Sequence, residues 1–145
     1  MMSEPPPASS WAAPPEFYID EGLAGKSLRR FFEDLGYVVH TPWSVFGSRH
    51  EAQGTPDAIW LARCGEERWA AIAKDTKILE RPDELAALVK AKVHIFYYPG
   101  NATRAELLSI AAATLADVCA MASLVGGSAW RVRGGARPHL QRIDL

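Results

Sequence analysis

Three aspartates fall where a sheet of parallel strands would collect them. Asp20 closes the short apolar run Phe17-Tyr18-Ile19, Asp75 follows the run 69–74, and Asp57 stands just after Thr55-Pro56, at the start of a helical stretch. In open parallel sheets, ligands bind beyond the carboxyl ends of the strands, where the strand order reverses. If the strands ending at Asp20 and Asp75 are neighbours, their carboxylates meet across that crevice, and Asp57 adds a third oxygen ligand. Like charges held that close repel one another. A Mg2+ or Mn2+ ion relieves the repulsion and takes the hard oxygen donors it prefers. Such an ion acidifies a bound water, orients it against a phosphate and neutralises charge in the transition state. Glu21 and Glu51 are spare carboxylates for a second ion.

Each acid also has a plain structural reading. Asp57 serves equally as a negative charge at a helix start, and Asp75 as the opening of a turn before Thr76. Asp20 is the hardest to dismiss, because an acid closing a buried apolar strand needs compensation. Basic residues gather at the same edge: Lys26, Lys74, Lys77, Arg81 and Arg104. They suit phosphate contacts, although a solvated surface charge explains any one of them. The C-terminal stretch adds Arg131, Arg133, Arg137 and Arg142 against Asp144, with Trp130 among them for stacking. His40, His50, His94 and His139 show neither HxxxH nor HExxH spacing, which removes a zinc-protease reading.

The elements that would position these residues alternate between strand and helix. Residues 17–20 read as a buried strand. Leu28, Phe31, Phe32 and Leu35 then repeat at helical spacing until Gly36, a C-cap. Residues 37–40 form a second strand, and 41–54 lack any period and read as a long loop. Thr55 is the expected N-cap of the next helix, with Pro56 in its first position. Strands follow at 69–74 and 92–98, separated by a helix over 81–91. A capping box of Thr103 and Glu106 opens a long helix to about Val125. The expectation is an α/β fold, a small and mostly parallel sheet of order about 2-1-3-4 with helices on both faces.

The chain divides by composition into a proline-rich, disordered segment over 1–15, a folded domain over 16–126, and a basic strand, hairpin or tail over 127–145. A length of 145 residues suffices for a hydrophobic core without staples. The net charge of −1 excludes a strongly basic nucleic-acid binder, so any such contact must be local. Cys64 and Cys119 read as reduced core thiols of a cytoplasmic protein. No secretory signal is expected at the N-terminus. Residues 107–125 are apolar but carry Asp117, so they read as a buried helix rather than a membrane span. That helix, 103–125, is apolar nearly all round and is expected to be deeply buried or to form a homodimer contact.

The stretches FYIDEGLAGKSLRRFFEDLGY, TPDAIW, WAAIAKDTKI and YYPGNATRAEL together resemble the PIN-like domains grouped with VapC-type toxins of toxin–antitoxin systems. The resemblance spans roughly residues 17–125. It implies a PIN-like fold, Mg2+- or Mn2+-dependent cleavage of RNA, and a cognate antitoxin as partner. On the matching positions it makes Asp20, Asp57 and Asp75 the catalytic metal ligands; Glu21, next to Asp20 in the chain, is added to the metal set as a spare carboxylate. Lys74 and Asn101 match positions of the same site, and Lys26 and Arg104 join them as substrate contacts. The chain departs from the pattern in the longer loop at 43–54 and in lacking a firmly placed fourth acid.

Two other readings stay open at this stage. A non-catalytic PIN-like module would bind RNA or a partner without cutting. A receiver-type signalling domain also gathers acids at strand ends, and Asp20-Glu21 with Asp75 would serve it. It further requires a lysine closing a later strand, where this chain has Pro99-Gly100-Asn101.

Overall fold

A computed structural model of the chain describes residues 4–20, 26–47, 55–74 and 79–145. The elements, in chain order, are β1 (Phe17–Ile19), α1 (Lys26–Asp34), β2 (Val39–His40), α2 (Pro42–Phe46), α3 (Asp57–Glu67) and β3 (Ala70–Ala73). They continue with α4 (Pro82–Ala91), β4 (His94–Tyr97), α5 (Arg104–Ala122), β5 (Ser128–Arg133) and β6 (His139–Ile143). The strands form one six-stranded sheet of order β2-β1-β3-β4-β5-β6. Its first five strands run parallel and β6 returns antiparallel. The fold is α/β with the expected 2-1-3-4 core order, extended on one side by the C-terminal hairpin.

Burial on both faces explains the continuous apolar runs of the inner strands. Every residue of β1, β3 and β4 is buried. Alternate residues then sort to two cores. Phe17, Ile19, Ala70, Ile72, Phe96 and Val132 face α1 and α5, where Leu28, Phe32, Leu115 and Val118 meet them. Tyr18, Ala71, Ala73, Ile95, Tyr97 and Ala129 face α3 and α4, against Trp60, Leu61, Cys64 and Leu88. Small alanines on this face of β3 leave room for aromatic rings. Tyr18 stacks on Trp60 at 5.4 Å and on Trp69 at 6.3 Å, and His40 stacks on Trp69 at 3.7 Å.

Helix ends follow the sequence in places and depart from it in others. Gly36, with φ of 92°, ends α1 as expected. The capping box at the start of α5 is formed, Thr103 Oγ1 accepting from Glu106 N at 3.2 Å. Thr55, expected as the N-cap of α3, is not: Pro56 takes that position and no side chain caps it. The helix-start donors are met instead by the Pro56 carbonyl, which accepts from Ile59 N at 3.0 Å. The stretch 41–54, expected as loop throughout, holds α2. Buried Thr41 caps that helix through a box with Ser44, and Pro42 presets its first turn. Residues 48–54 lie outside the described residues.

The proline-rich segment, expected to be disordered, packs from residue 6 to residue 11. Ala8 is buried and its N–H donates to Leu35 O at 2.8 Å. Trp11 Nε1 donates to Tyr37 Oη at 2.9 Å, and the Tyr37 hydroxyl donates to Pro6 O at 2.8 Å. Tertiary contact supplies what local composition lacks.

Helix α5 is long and apolar enough, by composition, to cross a membrane. One face, Ile110, Ala111, Thr114, Leu115, Val118 and Cys119, is buried in the core. The other face, with Ala105, Ser109, Ala113, Ala116 and Asp117, is exposed, so the helix is buried on one side only.

Candidate metal centre at the carboxyl edge of the sheet

In a right-handed strand–helix–strand unit, the carboxyl end of each strand and the N-terminus of the following helix share one edge. Here that edge collects the ends of β1, β3, β4 and β5 and the starts of α1, α3, α4 and α5. Asp20 leaves β1 half-buried, with its backbone N–H donating to Ile72 O of β3 at 2.8 Å. The pairing Ile19↔Ile72 therefore continues one step past the strand, which fixes Asp20 beside the end of β3. Lys74 stands exposed just beyond that end. Tyr98 N donates to Ala73 O at 2.7 Å, drawing the end of β4 to the same point. There Gly100 lies along the Lys74 side chain, close enough that an added Cβ would sit 3.5 Å from Lys74 Cδ. Asn101 and Arg104 are exposed at the start of α5, and Lys26 is exposed at the start of α1.

Asp57 is the first residue of α3 and is held by two partners that the sequence did not announce. Its Oδ1 accepts from Trp60 Nε1 at 2.8 Å, and Arg81 Nη1 lies 3.9 Å from its Oδ2. Trp60 is in turn fixed by stacking on Tyr18, two residues before Asp20 in β1. One aromatic contact thus ties the start of α3 to the strand that carries Asp20. Arg81 also lies 3.2 Å from Glu84 Oε2, so this guanidinium, read from sequence as a phosphate contact, leans on two acids instead. The i,i+3 spacing of Asp57 and Trp60 is the signal that would have revealed the first of these contacts.

The Asp20 charge is felt below the edge. The Cys64 thiol is pushed well above its ordinary value by burial, and further by the Asp20 carboxylate, with Arg63 opposing. Cys64 and Cys119 are both free and buried, as expected of core thiols.

Asp20 and Asp57 bring hard oxygen donors to one edge, the type that Mg2+ or Mn2+ prefers. Among the described residues, no three of His, Cys, Asp or Glu are grouped to hold a metal. Asp75 and Glu21, the remaining expected ligands, lie outside the described residues. Carboxylates are the donor type that suits a divalent ion, but in Asp57 the indole engages Oδ1 and Arg81 lies 3.9 Å from Oδ2.

Trp130, expected to be available for stacking, is half-buried and engaged. Its Nε1 donates to Ser128 Oγ at 2.6 Å, and the Arg142 guanidinium lies over its ring at 5.7 Å.

The profile of the PIN-like domain family matches residues 15–100, from just before β1 to just after β4. The chain belongs to the PIN-like domain family. No curated protein and no solved structure matches it. Membership gives a nuclease-type fold to the observed sheet. The match spans β1 to β4, three of the four strands whose ends meet at the Asp20 edge, and it leaves α5, β5 and β6 beyond it.

Proposed function

We propose that this PIN-like protein is a divalent-metal-dependent endoribonuclease, acting as the toxin of a toxin–antitoxin pair. In this reading Asp20, Asp57 and Asp75 hold Mg2+ or Mn2+ with Glu21 beside them, and Lys26, Lys74, Asn101 and Arg104 contact the RNA. The observation that carries it is the adjacency of β1 and β3, whose carboxyl ends bring Asp20 next to Lys74, one residue before Asp75 in the chain. The family match supports it through the nuclease-type fold.

A bound metal would supply an acidified water and charge neutralisation at the scissile phosphate. The chain's own residues do the rest. Lys74, with its stem along Gly100, presents its ammonium at the edge to hold a phosphate oxygen. Trp60 holds the Asp57 carboxylate through Oδ1, and Arg81 would compete with a metal for Oδ2. Asn101 and Arg104 extend the contact surface along the start of α5.

The test is incubation of the purified chain with mixed cellular RNA and Mn2+, beside Asp20→Asn and Asp75→Asn variants and an EDTA control. Cleavage by the wild type alone is the expected result. Cleavage that survives both substitutions would remove these acids from the mechanism. The toxin assignment predicts growth arrest on induced expression, relieved by Asp20→Asn.

A second reading is favoured by the engagement of Asp57 with Trp60 and Arg81. A module that binds RNA without cutting it would keep that carboxylate for structure. Stabilisation by Mn2+ in a thermal melt with no cleavage of any RNA would select this reading.

A further inference from the structure

The C-terminal hairpin lies outside the family match, yet it completes the sheet. β5 pairs in parallel with β4, from His94↔Ser128 to Tyr97↔Arg131, so its carboxyl end emerges at the same edge as Asp20 and Lys74. From β3 to β5 the separation is two strand spacings, about 10 Å. β6 then turns back against β5, pairing Arg131 with Gln141 and Arg133 with His139.

Alternation divides the hairpin into two faces. Trp130, Val132 and Leu140 pack towards α5. Arg131, Arg133, His139 and Gln141 point to the other face, where α3 and α4 cover the inner strands. Arg133, His139 and Gln141 are exposed there, and Arg131 is partly so. Arg133 Nε donates to Gln141 Oε1 at 2.7 Å, which holds its guanidinium across the two strands. Arg137, exposed in the connecting turn, adds a third positive charge at the same end. No carboxylate lies between Ser128 and Ile143; Asp144 follows the last strand residue. In a chain of net charge −1, this is a local concentration of positive charge on an open, pleated surface.

Arg131 and Arg133 are two residues apart on one strand, so their stems stand about 6.8 Å apart. That interval suits adjacent phosphates of an extended polynucleotide. We propose that the open face of the β5–β6 hairpin, through Arg131, Arg133 and Arg137, holds the phosphate backbone of single-stranded RNA passing over the carboxyl edge of the sheet. The occupant's identity as RNA rests on the nuclease reading above. The surface itself follows from charge, register and exposure. It extends the substrate track beyond Lys74 and Arg104 by at least two strands.

The test measures equilibrium binding of a short fluorescently labelled single-stranded RNA in EDTA, where no cutting intervenes, over a range of salt concentrations. The Arg131→Gln/Arg133→Gln variant is expected to bind roughly tenfold more weakly. Its dependence of log affinity on log salt should flatten by about 1.4, for two lost phosphate contacts. The Arg131→Lys/Arg133→Lys variant keeps the charges and should recover most of the affinity. Circular dichroism and melting of each variant establish that the fold is intact. Unchanged affinity and slope in the Gln variant overturn the proposal, as does equal affinity for duplex RNA or for polyglutamate, the latter pointing to an acidic protein partner. A wild type that cuts RNA while the Gln variant binds normally would sink the hairpin proposal and leave the nuclease standing. Arginine-dependent binding without cleavage would do the reverse.

Discussion

The Asp57–Trp60 hydrogen bond gives a proposed metal ligand a structural partner. The indole N–H holds one carboxylate oxygen, Arg81 lies 3.9 Å from the other, and the indole restricts the rotation of the group. Trp60→Phe keeps the ring stacked near Tyr18 but removes the donor. The expected cost is about 1 kcal/mol of stability, since the pair is partly buried and the acceptor is charged. Under the proposed nuclease function, cleavage should fall further than stability accounts for, because Asp57 loses the contact that aims it. Melting temperature and single-turnover cleavage, measured side by side, check both. A variant as fast and as stable as the wild type would mean that the indole does not hold the carboxylate. Arg81 teaches the complementary lesson: a positive charge near the carboxyl edge of the sheet is not thereby a phosphate contact when acids lie 3.2 and 3.9 Å away.

At the scale of elements, Gly127 marks the tightest joint in the sheet. A Cβ there would sit 2.6 Å from the Lys92 carbonyl carbon and 2.8 Å from Val93 O, both backbone atoms that cannot move aside. Gly127→Ala is expected to cost about 2 kcal/mol by overpacking, and denaturant titration would read it directly. An unchanged midpoint would show that the entry to β5 can shift. The same scale shows what the sequence could and could not reveal. Strands β1, β3 and β4 were legible because burial on both faces writes them as short apolar runs, and α5 because Thr103 and Glu106 spell its cap. Helix α2 was not, because five residues carry too little period and its defining box pairs Thr41 with a serine rather than an acid. The docking of residues 6–11 was invisible for a different reason: its partners, Leu35 and Tyr37, are distant in sequence. Asp20 was readable as a strand-ending acid, whereas the indole and guanidinium at Asp57 required the fold to bring α3 and α4 together.

For the molecule as a whole, buried acids of high intrinsic pKa set an alkaline limit. Burial pushes the thiol of Cys64 above its ordinary 9.0 and the hydroxyls of Tyr37 and Tyr98 above 10.0. Below pH 9 these groups are protonated in both folded and unfolded chains, and their contribution to stability is complete. Above that value the unfolded chain releases protons that the folded chain retains, so stability falls as pH rises. Urea unfolding at pH 7.5 and 10.5 should show the loss, and Cys64→Ala should show a smaller one. An equal drop in the variant would assign the effect to the tyrosines and to Cys119, whose thiol burial also raises.

The Tyr37 hydroxyl has a consequence in time as well as in space. It joins Pro6 and Trp11 to the turn after α1, three residues past its end, and Cys119 Sγ reaches it at 3.5 Å from within α5. During synthesis, residues 6–11 must therefore wait for α5 to emerge before the Tyr37 hydroxyl has its full set of contacts. Residues 6–11 act as a latch held at Leu35 and Tyr37 and reinforced from α5, so ribosome-bound chains ending before residue 119 should leave Trp11 more exposed to water than the released protein does.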